Sequence, residues 1–134
     1  MGNWIPNDPT LVAQILKISA AYSSPPPEGF VSPMAWGIES NVIERFGAAG
    51  VPKNRISFVQ DTYTFRFASP PAQLVDAFRK YYGPTMNAFD TAEKNGRSDD
   101  LKKQLYDLFN RQNRSPVADA TLTPATYLRV TVAR

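Results

Sequence analysis

The sequence has 134 residues, 43% hydrophobic and 20% charged, with 15 basic and 12 acidic side chains giving a formal net charge of +3. That length and balance argue for a single domain over residues 1–134 with one core, and so small and dispersed a charge gives no reason to expect a nucleic-acid partner. Cysteine and histidine are both absent, which excludes disulfides, thiolate nucleophiles, zinc–thiolate and imidazole-ligated metal sites, and serine–histidine or cysteine–histidine catalysis.

No apolar run reaches the roughly 18 residues that would span a bilayer, and no basic leader followed by an apolar stretch opens the sequence. The expectation is a protein of the reducing cytoplasm without membrane contact. Asp8-Pro9 is a helix start, because the carboxylate can accept from free amides and proline is tolerated in the first turn. Leu11, Val12, Ile15, Leu16, Ser19 and Tyr22 follow at helical spacing, so the first helix is predicted over 9–22. The run "SSPPPEG" ends it, and residues 23–36 read as a stiff, proline-rich loop. Val42, Ile43 and Phe46 then define a short helix over 38–47, with Gly47 or Gly50 as its stop.

Residues 55–67, "RISFVQDTYTFRF", are aromatic and β-branched, yet Ile56 and Phe58 fall on even positions and Tyr63, Phe65 and Phe67 on odd ones. A strand with one buried face needs a bulge or a tight hairpin near Gln60-Asp61 to absorb that slip. Ser69-Pro70 starts a helix over 70–93, with Leu74, Phe78, Tyr81 and Tyr82 on one face, a kink at Gly83-Pro84, and Met86 and Phe89 continuing the apolar face. Asn95-Gly96 is a turn. Ser98, Asp99 and Asp100 open a helix over 99–112 whose core stripe is Leu101, Leu105, Leu108 and Phe109. Leu128, Val130 and Val132 alternate with Arg129 and Thr131, giving a strand over 126–133. The fold class is therefore α+β, about four helices packed on a small antiparallel sheet.

Few residues here carry chemistry on their own. Gly47-Ala-Ala-Gly50 ends a helix instead of opening one after a strand, so it reads as a cap and not as a cofactor loop. Asp99-Asp100 sits where helix N-termini gather acid, and Arg111 and Arg114 suit a helix C-terminus. Glu39 differs in lying beside Trp36-Gly37 at a loop-to-helix junction, a place where pockets are rimmed. Trp36 itself either plugs a core or lines a pocket, and Tyr81 and Tyr82 pose the same choice. No acid–base pair stands out as catalytic, and each carboxylate has a simpler structural role, which argues against a small carboxylate-and-tyrosine enzyme.

Taken in order, Trp4-Ile-Pro6, Pro25-Pro-Pro27, Ser32-Pro33 with Trp36-Gly37 and a following acid, Tyr81-Tyr-Gly-Pro84, Phe109-Asn-Arg111 and Tyr127-Leu-Arg-Val130 resemble the C-terminal part of class I S-adenosylmethionine-dependent methyltransferases. The resemblance spans nearly the whole chain. It implies that Trp4 follows the fifth strand of a doubly wound, Rossmann-like sheet, and that the Ile56 to Phe67 and Tyr127 to Arg134 strands complete its antiparallel edge. In that family the glycine-rich loop and the ribose-holding acid belong to the N-terminal half, which these residues do not include. The resemblance therefore implies an acceptor-side portion that binds no S-adenosylmethionine and is inactive alone. Its candidate acceptor-pocket residues are Trp4, Phe30, Trp36, Tyr81 and Tyr82, to which Glu39 is added from its own position, and its expected ligand is an apolar small molecule. The alternative is a stand-alone non-catalytic module that holds an apolar small molecule or a protein partner. A small sheet also leaves strand edges and apolar faces open, so a homo-oligomer or a partner chain covering the sheet edge is expected.

Overall fold

Among the described residues, five α-helices and a three-stranded antiparallel sheet form an α+β architecture. The structure is a computed structural model and describes residues 1–133. The elements are β1 (Gly2–Trp4), α1 (Leu11–Tyr22), a 3-10 turn (Pro33–Gly37), α2 (Glu39–Ala48), a second 3-10 turn (Lys53–Arg55), β2 (Ile56–Phe67), α3 (Pro71–Tyr81), α4 (Gly83–Lys94), α5 (Ser98–Gln112) and β3 (Thr121–Val132). The last position of the strand that the resemblance implies, Arg134, lies outside the described residues.

Local chemistry sets where the helices begin and end. Asp8 Oδ1 accepts from the Thr10 amide at 2.8 Å and also from the Thr10 hydroxyl. This turn keeps Pro9 and Thr10 out of the helix, so α1 starts at Leu11 and not at residue 9. The single kinked helix expected over 70–93 is two helices. Pro84 has no amide to give the Lys80 carbonyl and its ring would collide with it, so the helix breaks at Tyr82, whose backbone is extended. Tyr82 closes α3 by donating to the Phe78 carbonyl at 2.9 Å and opens α4 by accepting from the Met86 amide at 2.9 Å. The restart turns the apolar face of α4 to Thr85, Ala88, Phe89 and Ala92, and Met86 is left exposed instead of continuing the stripe. On α5 the stripe Leu101, Leu105, Leu108 and Phe109 is buried, as its spacing implies.

The sheet order is β1-β3-β2, with β3 antiparallel to both neighbours. The β2–β3 ladder runs without interruption from Ile56 opposite Val132 to Phe67 opposite Thr121, so β2 contains neither a bulge nor a hairpin. The slip in its pattern has another cause. Residues directly opposite in an antiparallel pair share a face, and successive residues alternate faces. Phe65, Phe67 and Ala125 lie on one face, under the core formed with α1, α3, α4 and α5. Ile56, Phe58, Leu128, Val130 and Val132 lie on the other, packed with Val42, Trp36 and Phe46. A regular strand thus buries opposite faces at its two ends, beneath two different groups of helices.

Strand β3 starts at Thr121 and not at the expected 126, and it runs through Pro124. Pro124 is tolerated at an edge position. β1 covers only Tyr127 to Arg129. Beyond it the Leu122 amide donates to Asn113 Oδ1 at 2.9 Å and the Thr126 amide to Thr10 Oγ1 at 2.8 Å. Pro124 stands between them, where no strand needs a donor. Strand β1 itself carries no pattern long enough to predict. It is held by its ladder to β3 and by Met1, whose carbonyl accepts from the Val130 amide at 2.8 Å and whose amino group donates to the Val130 carbonyl at 2.7 Å.

Candidate functional site

The break at Tyr82, the end of β1 and the bundle-side face of β2 meet around an apolar cleft of about 380 Å³. Its walls are Trp4 from β1, Val12 from α1, Phe65 from β2, and Leu74, Ala77, Phe78, Tyr81 and Tyr82 from α3 and its end. The volume falls within the range of small-molecule sites. Ala77 keeps the cleft open, because it occupies the stripe between Leu74 and Tyr81 with only a methyl group.

The wall is anchored by edge-to-face aromatic contacts. Phe78 meets Phe65 at 5.7 Å, Tyr82 at 5.3 Å and the fully buried Phe109 at 5.4 Å between ring centroids. Trp4 meets Tyr127 at 6.1 Å. Such pairs add to area burial and fix ring orientation, so the surface offered to a ligand is preorganised. No carboxylate, lysine or arginine contributes to the lining. Burial pushes the Tyr82 hydroxyl above its ordinary pKa, and it stays a neutral donor at physiological pH. The cleft can therefore hold an apolar molecule through aromatic and aliphatic contact.

Of the six residues expected to touch a ligand, the structure brings Trp4, Tyr81 and Tyr82 together at the cleft. Tyr81 is 73% exposed and forms the rim, with the Lys80 ammonium 5.1 Å from its ring. Phe30, Trp36 and Glu39 do not line it. Trp36 packs edge-on against Phe46 at 6.2 Å with the Arg45 guanidinium 4.8 Å over its ring, in the cluster on the opposite sheet face. Glu39 is exposed in the first turn of α2, where a negative charge favours the helix dipole. Phe30 is exposed in the proline-rich loop. The sequence signal that could have found Leu74 and Phe78 was present, since both belong to the α3 stripe, but a stripe at helical spacing reads as core. Phe65 was hidden by the apparent slip in β2.

The residues described offer no glycine-bearing strand-to-helix turn of the kind that seats an adenosyl donor. Its usual seat needs backbone to approach closely at a strand-to-helix turn. The two such turns here, residues 5–10 between β1 and α1 and residues 68–70 between β2 and α3, contain no glycine. The glycines with positive φ, Gly29, Gly50 and Gly96, lie in the proline-rich loop, after α2 and between α4 and α5. A second cleft, of about 300 Å³, lies between Pro9, Thr10, Arg111, Gln112 and Arg114, where Gln112 Nε2 donates to the Pro9 carbonyl at 2.6 Å. Comparison with protein families, curated proteins and solved structures finds no match to this chain.

Proposed function

We propose that this chain is the acceptor-side portion of an S-adenosylmethionine-dependent methyltransferase, holding an apolar acceptor while the donor is bound by residues outside it. The observation that carries the reading is the all-antiparallel order β1-β3-β2 with an apolar cleft opening beside β1. In a doubly wound enzyme such strands form one edge of the sheet, and ligands bind outside the ends of the central strands. Trp4, Phe65, Phe78 and Tyr82 would pack against the acceptor. No step of methyl transfer is assigned to this chain's own residues.

A stand-alone apolar-binding module is the second reading, favoured by a lining without any charged group. Titration with the neutral fluorophore N-phenyl-1-naphthylamine and with S-adenosylmethionine tests what both readings share. The fluorophore is expected to bind, Ala77→Trp to weaken it at least tenfold, and the sulfonium to give no heat. Tight S-adenosylmethionine binding, or methylation of any test compound by the purified chain, would overturn both. An upstream coding sequence with a strand, a glycine-rich turn and an acid about twenty residues later selects the first reading over the second.

A further inference from the structure

The outer edge of β2 has no partner among the described residues. On β3 the amides of Leu122, Thr126 and Val130 point away from β2. The odd-numbered residues of β3 therefore bond to β2, and the even-numbered residues of β2 turn their amides and carbonyls outward. The Ile56 amide is taken by the Lys53 carbonyl, and from there the open row is Phe58, Gln60, Thr62, Thr64 and Arg66. It contains no proline, lysine or bulge, its charges are Arg66 near one end and Asp61 beside Thr62, and Val59 and Tyr63 are 46% and 55% exposed. The Thr62 amide alone in this row has a partner, Asp61 Oδ1 at 2.9 Å.

We propose that this edge pairs antiparallel with the same edge of a second copy, about a two-fold axis through Thr62, giving one continuous six-stranded sheet. Charge and length select both the occupant and the register. A two-fold through the sheet matches odd residues with odd and even with even, so only a centre on a residue is allowed. Centring on Asp61 would set two carboxylates directly opposite, which is destabilising. Centring on Thr62 overlaps the strands from 57 to 67 and opposes no like charges. It sets Val59 against Phe65, Asp61 against Tyr63, and Phe58 against Arg66, covering the exposed apolar side chains while pairing the outward row. The pairing is independent of the cleft and of the function proposed for it.

The absence of cysteine makes the register directly testable. Thr62 would face its own copy at a hydrogen-bonded pair, its amide exchanging Asp61 Oδ1 for the facing Thr62 carbonyl, with Cα atoms about 5.5 Å apart, within the roughly 4.4–6.8 Å that a disulfide bridges. Sedimentation equilibrium of the unmodified chain is expected to give a dimer. Oxidised glutathione is expected to convert Thr62→Cys to a covalent dimer at least ten times faster than Ser57→Cys, which lies on the same strand but opposite Phe67. A monomeric unmodified chain, or equal cross-linking of the two variants, would overturn the proposal. Circular dichroism of both variants confirms that each keeps the native fold before oxidation.

Discussion

Gly37 has the tightest surroundings of the seven glycines. A Cβ there would overlap the Trp4 carbonyl oxygen and lie 2.9 Å from its carbonyl carbon and 3.1 Å from the Ile5 Cα. All three neighbours are backbone and cannot swing aside, so the glycine exists to let β1 pass beneath the 3-10 turn. Gly37→Ala is expected to lose about 2–4 kcal/mol of stability. Gly47→Ala, in α2 with open space around its Cβ position, is expected to be neutral or to gain about 0.5–1 kcal/mol. Urea denaturation of the two variants measures the contrast, and equal effects would contradict this account of Gly37. The junction at Trp36-Gly37 was visible in the sequence, but its purpose was not. The strand it rests on lies more than thirty positions earlier, and no local pattern links the two. The same limit divides the two tyrosines, because the break at Pro84 decides that Tyr82 turns inward while Tyr81 stays at the rim.

Strand β2 shows why element type was easier to read than element environment. Its residue types announce a strand, and the helices α1 and α5 follow from apolar spacing alone. The inference of a bulge assumed one buried face, and that assumption fails where a sheet is covered from opposite sides at its two ends. Phe58 and Phe65, of opposite parity, both pack against a core, whereas Thr62 between them is exposed. Phe58→Ala and Phe65→Ala are therefore each expected to cost roughly 2–3 kcal/mol, below the loss for a fully buried phenylalanine because both rings are only partly buried. Thr62→Ala should stay within about 0.5 kcal/mol of the parent. Thermal and urea unfolding of the three variants checks this, and one silent phenylalanine would mean that only one face of the strand is packed. Pro124 carries a related lesson. A proline argues against a central strand, and β3 is central only where β1 covers it.

At the scale of the whole molecule, one sheet joins two cores, and the larger core depends on α1 meeting α5. Their ends are tied by a polar cluster at the rim of that core. The Tyr22 hydroxyl donates to Asp100 Oδ2 at 2.6 Å, Gln104 Nε2 donates to the same hydroxyl at 2.6 Å, and the Arg97 guanidinium lies 4.4 Å over the Tyr22 ring. The sequence placed Tyr22 on a core face and Asp100 at a helix start. It could not show that they meet, because 78 residues separate them. The Tyr22 hydrogen bond, ahead of the smaller effects of Arg97 and Lys103, holds the Asp100 carboxyl below the usual carboxylate range, with desolvation acting in the opposite sense. A carboxyl that binds protons less readily in the folded chain than in the unfolded one stabilises the fold above its unfolded pKa of about 3.9. That contribution fades as pH falls through the lower folded value. Tyr22→Phe removes the bond while keeping the ring, so its deficit against the parent should be largest near neutrality and shrink as the medium is acidified below about pH 4. Urea unfolding at a series of pH values from neutral to strongly acid measures it. A deficit that stays constant across the series would show that the hydroxyl acts through its bond from Gln104 and that Asp100 does not sense it.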